Sequence, residues 1–78
     1  ISYYTMAAIN NHAESQYALG CLLLQGKHKN PKWLYWICKS HLNGFSSATA
    51  YLENMVVNDG DIAKRTIEYQ LEAISVSE

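Results

Sequence analysis

Charged residues are scarce in this sequence of 78 residues, where they make up 17%, and the formal net charge is −1. Proteins that bind nucleic acid or anionic membranes carry a strong excess of basic residues, which displace counterions from phosphate groups. The basic residues cluster only at Lys27, Lys29 and Lys32, which we interpret as a solvated loop. The composition therefore predicts that the chain does not bind nucleic acid.

Long apolar runs are also missing from the sequence. A membrane span needs roughly 18–20 consecutive apolar residues, whereas the best run, Ala18 to Leu24, is short and contains Gly20. We therefore expect no membrane insertion. The chain begins at Ile1 without a signal-peptide pattern, which we interpret as a fragment boundary. The compartment stays open, with a cytoplasmic location slightly favoured.

Recognised catalytic and metal-binding motifs are absent from the sequence. The two cysteines, Cys21 and Cys38, lack the spacing of a zinc or redox motif, and we favour two free, partly buried thiols over a disulfide. None of His12, His28 and His41 has a partner at a recognised catalytic spacing, and we interpret His41 as structural. We expect no enzyme activity, no metal site and no cofactor.

Apolar residues, in contrast, are abundant at 49%, and aromatic residues make up 12%. A chain of this length forms one small domain, residues 1–78, and small domains bury little core by themselves. An excess of apolar over charged residues therefore indicates that the domain packs against further chain or against a partner.

Residues of like chemistry recur at an offset of 33 positions. Leu19 and Leu52 form one such pair, and Asn11 and Gly44 form another. Two series continue further: the aromatic residues Tyr3, Trp36 and Tyr69, and the small residues Ala7, Ser40 and Ala73. The offset predicts a partial unit at about 1–11, a complete unit at 12–44 and a degenerate, capping unit at 45–78.

Helical spacing of the apolar residues predicts helices at about 12–25 and 31–43, a third that follows Ser46 or Ser47 and ends at about 58, and a last one that follows Asp61 and runs toward Ile74. The first ten residues are expected to form the tail of an earlier helix. We expect Asn30 to cap the second helix, Pro31 to occupy its first position and Gly44 to end it. Ser46 or Ser47 is expected to cap the third helix. A turn at 59–60 and a cap at Asp61 then precede the last helix.

Connections of two to five residues require successive helices to pack as antiparallel hairpins. A single hairpin cannot bury both of its apolar faces, and stacked hairpins can. The sequence therefore predicts an all-α fold, an α-solenoid of antiparallel hairpins with about five helices.

The stretch from Ala7 to Gly20 resembles the Sel-1-like repeat signature A-A-x-x-G-x-x-x-A-x-x-x-L-G, which belongs to a family related to tetratricopeptide repeats. The stretch that begins at Trp36 is similar to the family's W-Y-x-K-A-A-x-x-G-x-x-x-A-x-x-x-L. The residues that carry the resemblance as a structural signature are Ala7, Ala8, Leu19, Gly20, Gly26, Trp36, Gly44, Ala48, Leu52, Tyr69 and Ala73.

The sequence departs from the family pattern in several places. Asn11 and Ser15 replace the first glycine and a small residue, and His41 replaces the second alanine of the next unit. The loop after Gly26 is about three residues shorter than usual, and Glu53 stands where the next glycine is expected. The resemblance is therefore specific up to Glu53 and weak beyond it.

The resemblance implies a non-catalytic scaffold or adaptor that binds a protein or peptide on the concave face, which the first helix of each repeat lines. Opposite the packing side of the first complete helix, we expect contacts from Glu14, Tyr17, Cys21 and Gln25, and from Asn54 one unit later. Tyr17 is the strongest of these residues, because tyrosine is enriched in interface hot spots.

Two other functions stay open. The chain can be the structural end cap of a larger repeat array, with Lys64, Arg65, Glu68 and Glu72 as its solvated outer face and possible self-association through exposed repeat ends. A hydrolase of the cysteine-rich, β-lactam-binding kind is a weaker alternative, because Cys21 and Cys38 do not occupy that group's paired positions.

Overall fold

The computed structural model describes residues 6–7, 9–10, 12–25 and 31–77, and the described part is all α-helical. Its four helices are α1 (Ala13–Leu24), α2 (Trp33–Leu42), α3 (Ser46–Asp59) and α4 (Asp61–Ser77). A helical turn before α1 is closed by a hydrogen bond from the Asn10 amide to the Met6 carbonyl. The expectations for Tyr3, Ala8, Asn11, Gly26, His28 and Asn30 lie outside the described residues.

The helix starts differ from the prediction in detail. Pro31 and Lys32 form a turn, so α2 begins two residues later than expected, at Trp33. Phe45, with an extended backbone, is the residue that precedes α3, so the expected cap at Ser46 or Ser47 is wrong: both serines lie inside the helix. Asp61 is likewise the first residue of α4 rather than its cap, and α4 continues beyond Ile74 to Ser77.

His12 caps α1 with its side chain. The His12 Nδ1 atom accepts a hydrogen bond of 3.3 Å from the Ser15 amide and lies 2.6 Å from the Ser15 Oγ atom. The ring thereby satisfies one of the amide groups that the first turn of a helix leaves without a partner.

Gly44 ends α2 as predicted. Its φ of 86° is left-handed, its amide donates to the His41 carbonyl at 3.0 Å, and the Phe45 amide donates to the Ser40 carbonyl at 3.1 Å. These two hydrogen bonds define a Schellman motif. The chain is then extended at Phe45 and enters α3.

One of these two hydrogen bonds recurs 33 residues earlier, at the entrance to α1. The His12 amide donates to the Ala7 carbonyl at 3.1 Å, as the Phe45 amide does to the Ser40 carbonyl. His12 and Phe45 both have an extended backbone, with φ of −80° and ψ of 103° and 113° respectively. The two junctions are therefore built alike, and α1 and α3 begin 33 residues apart.

The core lies around α2, which packs against each of the other three helices, while α3 also packs against α4. Ile37 and Cys38 are completely buried at its centre. The other buried residues of the same cluster are Leu34 on α2, Ala48 and Leu52 on α3, and Ile67 and Ile74 on α4. One apolar core therefore joins both helix pairs.

Helices α1 and α2 approach each other closely at Gly20. A Cβ atom on this buried glycine would lie 2.6 Å from Ile37 Cγ1 and 2.9 Å from the Trp33 carbonyl oxygen. Two hydrogen bonds further along the helices hold the same contact: Ser40 Oγ donates to the Ala13 carbonyl at 2.6 Å, and Asn43 Nδ2 donates to Gln16 Oε1 at 2.9 Å. Glu53 of α3, at the equivalent position, is exposed.

Candidate binding groove

An open groove of about 440 Å³ runs along α1 beside the start of α3. Its lining is apolar except at one end, where Glu14 supplies the only charged side chain among the lining residues. The groove is lined by Glu14, Tyr17, Ala18, Cys21, Leu22 and Phe45. Because α1 contributes five of these residues at helical spacing, the groove follows one face of that helix.

A row of aromatic rings forms the floor of the groove and continues into the core. The Tyr17 ring lies 5.4 Å from the Phe45 ring and 6.4 Å from the Tyr51 ring, and the Tyr51 ring lies 6.4 Å from the Trp33 ring. Aromatic pairs attract each other at these centroid distances and in these tilted orientations. The row therefore connects α1, α2 and α3 through Tyr17, Trp33 and Tyr51.

Burial in the aromatic row affects the pKa values of two tyrosines. It raises the pKa of the Tyr17 phenol above its ordinary value of 10.0, and the neighbouring Cys21 thiol and Tyr51 phenol raise that pKa further. The pKa of Tyr51 is raised for the same reasons, burial first and Cys21 second. Both phenols are therefore neutral hydrogen-bonding groups at neutral pH.

The structure brings together three of the five residues predicted to contact a partner: Glu14, Tyr17 and Cys21 line the groove. Gln25, the C-cap of α1, and Asn54 on α3 are exposed, and neither lines it. Cys21 is a free, half-buried thiol, and the other cysteine, Cys38, is free and fully buried.

Tyr17 is only half exposed, because its ring packs against Phe45 and Tyr51. Sequence spacing placed Tyr17 correctly on the side opposite Leu19, but it did not show that α3 reaches that side. Ala18, Leu22 and Phe45 were not predicted to line the groove. For Ala18 and Leu22, the signal available in the sequence was their helical spacing from Tyr17.

The described residues of the repeat signature differ in burial. Leu19, Gly20, Ala48 and Leu52 are buried, as packing positions should be. Tyr69 and Ala73 are exposed, and Ala7 is half-buried. The last helix therefore presents its signature positions to solvent, unlike α2, where Ser40 is buried against α1.

Trp36 lies at a separate cleft of about 380 Å³ between α2 and α4, lined by Pro31, Lys32, Tyr35, Trp36 and Gln70. The Trp36 ring contacts the Tyr35 ring at 5.0 Å, and the Lys39 ammonium group lies 5.7 Å from the centre of the Tyr35 ring. Trp36 is half-buried. Its replacement by alanine is therefore expected to cost less than the roughly 3–5 kcal/mol of a fully buried tryptophan.

His41 is half-buried and forms a 2.7 Å hydrogen bond between its Nδ1 atom and Thr49 Oγ1, which links α2 to α3. Within the residues that the structure describes, no three His, Cys, Asp or Glu side chains cluster as they would need to in order to hold a metal ion. None of the described helices is both long enough and apolar enough to cross a membrane.

Comparison of the sequence with protein-family models found no match, and comparisons with curated proteins and with solved structures also found none.

Proposed function

We propose that this chain is a non-catalytic binding module of the Sel-1-like, tetratricopeptide-related type, and that its groove along α1 binds a peptide segment of a protein partner. The observation that carries the proposal is the groove itself: it combines exposed apolar surface, aromatic rings and a single carboxylate at one end. Interface hot spots typically combine a desolvated aromatic anchor with a polar rim in this way.

Two features of the backbone support the repeat part of the proposal. The amides that precede α1 and α3, those of His12 and Phe45, make the same hydrogen bond at a spacing of 33 residues, and Gly20 occupies a close helix contact where a larger residue would displace its neighbours. In arrays of the family that the sequence resembles, the first helix of each repeat lines the concave face. In this proposal α1 and α3 are those first helices, and the groove lies along α1 beside Phe45, the residue that precedes α3.

The chemistry of the groove defines the partner segment. An apolar or aromatic side chain fits against Tyr17, Ala18 and Leu22, and a neighbouring Lys or Arg pairs with Glu14. Because the groove is open and its aromatic floor is already packed, binding requires little rearrangement of the module. We expect short peptides to bind weakly, in the micromolar range or above.

A peptide library displayed on phage and selected against the chain tests the proposal. We expect the enriched peptides to share an aromatic or large apolar residue next to a basic one. Binding of a selected peptide, measured by fluorescence polarisation, is expected to weaken about tenfold or more in a Glu14→Lys variant, which replaces attraction by repulsion. Glu68→Lys on α4 is the matched control, because it makes the same charge change at an exposed site outside the groove.

Cys21 provides a direct test of where the peptide binds. Because its thiol lines the groove, a bound peptide should slow its alkylation. A library that yields no binder, or peptides that bind the Glu14→Lys variant equally well and leave Cys21 alkylation unchanged, would contradict the groove as the binding site.

A structural end cap is the second candidate function, and one observation favours it. Lys64, Arg65, Glu68 and Glu72 are all exposed on α4, as the polar outer face of a terminal repeat should be. An end cap needs no ligand in the groove, so the same peptide selection separates the two functions.

A further inference from the structure

An apolar seam runs along the exposed side of α4. Its residues follow one another at intervals of four, three, four and three positions, which is the spacing of a coiled-coil heptad. They are Ile62, Thr66, Tyr69, Ala73 and Val76. Ile62 and Tyr69 are each 77% exposed, and Val76 is 81% exposed. The Thr66 hydroxyl donates to the Ile62 carbonyl at 2.9 Å, so its polar group is already satisfied and its methyl group adds to the seam.

The seam contains a hollow of the kind that receives a side chain from a facing helix. This hollow, of about 390 Å³, is lined by Tyr69, Glu72, Ala73 and Val76. Their spacing of i, i+3, i+4 and i+7 is that of the four residues that form one hole in knobs-into-holes packing. A second hollow of the same spacing on α4 is lined by Asp61, Lys64, Arg65 and Glu68. Its charged lining does not suit an apolar side chain, so only the first hollow fits one.

We propose that a second copy of this chain covers the seam, with the two α4 helices packed antiparallel. In this arrangement a two-fold axis crosses the seam between Thr66 and Tyr69. Ile62 is an exposed apolar side chain at the end of α4 opposite the hollow. In the antiparallel pair, Ile62 of each copy enters the hollow of the other copy. The surface is therefore complementary to itself, as a two-fold interface requires.

The charges beside the seam select the antiparallel orientation. Arg65 and Glu72 both lie one position before a seam residue, on the same side of it, and both are exposed. An antiparallel pair brings Arg65 of one protomer next to Glu72 of its partner, and symmetry repeats this ion pair. A parallel pair would place Arg65 beside the uncharged Gln70 and would give Glu72 no cationic neighbour. Attractive pairs at these flanking positions set the orientation of coiled coils.

The size of the seam sets the expected affinity. Helix α4 has 17 residues and is about 25 Å long, at 1.5 Å per residue. Two helices of this length bury less than the roughly 1,600 Å² of a standard interface. We therefore expect a dissociation constant in the micromolar range, so that association depends on concentration in an ordinary measurement.

Analytical ultracentrifugation of the 78-residue chain, over about 5 to 500 µM, tests the proposal with two charge-reversal variants. Arg65→Glu and Glu72→Arg each place like charges together at both symmetric positions, and each is expected to weaken self-association about tenfold or more. An equimolar mixture of the two variants restores both attractive pairs. We expect the mixture to form a heterodimer within about threefold of the parent affinity.

Lys64→Glu is the matched control, because it reverses an exposed charge of α4 away from the seam. It should leave the dissociation constant unchanged, and circular dichroism should show the same helix content for every variant. A parent chain that stays monomeric up to the highest concentration overturns the proposal, and so does a mixture that associates no better than either variant alone. Neither result bears on peptide binding, because Arg65 and Glu72 do not line the groove along α1.

Discussion

At the scale of single residues, Gly20 determines how closely α1 and α2 pack. Glycine in a helix normally costs stability, and replacing it with alanine at an exposed site gains about 1 kcal/mol. At Gly20 the added methyl group would lie 2.6 Å from Ile37 Cγ1 and 2.9 Å from the Trp33 carbonyl oxygen. The Ile37 side chain can shift by a rotation, but the carbonyl oxygen belongs to the backbone of α2. The two helices would therefore have to separate.

We expect Gly20→Ala to destabilise the fold by about 1–3 kcal/mol despite the gain in helix propensity. The free energy of unfolding, measured by urea denaturation, checks this value. Ala50→Gly is the companion variant, because Ala50 is exposed on α3, and its cost of about 1 kcal/mol measures helix propensity alone. A stabilised Gly20→Ala chain would show that α1 and α2 are not in close contact at this residue.

At the scale of helices and turns, Gly44 and Gly60, which follow α2 and α3, have different conformations. Gly44 closes a Schellman motif with φ of 86°, where asparagine is the usual substitute for glycine. Gly60 has φ of 63° and ψ of −136°, a combination outside the left-handed helical region. A Cβ atom at either position would meet nothing within 4 Å, so only backbone conformation decides the effect of a substitution.

We therefore expect alanine to destabilise the fold at both positions, by about 1–2 kcal/mol. Asparagine should recover most of this loss at Gly44 and little of it at Gly60. Thermal denaturation of the four variants, followed by circular dichroism, measures the difference. Equal recovery at both sites would mean that the two turns share one conformation.

The helices and most of their ends could be predicted from the sequence. Four helices were expected within two or three residues of their observed ends, because apolar spacing and Gly44 are local signals. The helix caps were harder to predict. His12 is not among the preferred capping residues, and its role depends on the ring reaching the Ser15 amide. Ser46 and Ser47 are preferred residues, yet the Schellman motif at Gly44 places Phe45 before α3.

The groove could be predicted only in part, because it depends on contacts between helices. Helical periodicity placed Glu14, Tyr17 and Cys21 on one face of α1. It could not show that Phe45 and Tyr51 of the next hairpin reach Tyr17, since those contacts are set by the packing of one hairpin against the other. The exposure of Tyr69 and Ala73 could not be predicted for the same reason. Helix α4 faces the core through Ala63, Ile67 and Ile74 instead.

At the scale of the whole molecule, α2 is the element through which the two helix pairs share a core. Cys38 lies in the middle of it with no exposed surface, and burial raises the pKa of its thiol from 9.0 to about 12. The thiol is therefore protonated and shielded in the folded chain, and it can react only when α2 leaves its neighbours. Because α2 packs against α1, α3 and α4, we expect that opening to be the unfolding of the whole chain.

Alkylation of a Cys21→Ser variant, in which Cys38 is the remaining thiol, tests this expectation. The ratio of its alkylation rates in the folded and the urea-unfolded chain gives a free energy of opening. We expect that value to agree within about 1 kcal/mol with the free energy of unfolding from urea denaturation. The companion Cys38→Ala variant should react through the folded state, because Cys21 lies at the open groove. An opening free energy for Cys38 well below the global value would show that the hairpins separate before they unfold, and that α2 does not couple them into one cooperative unit.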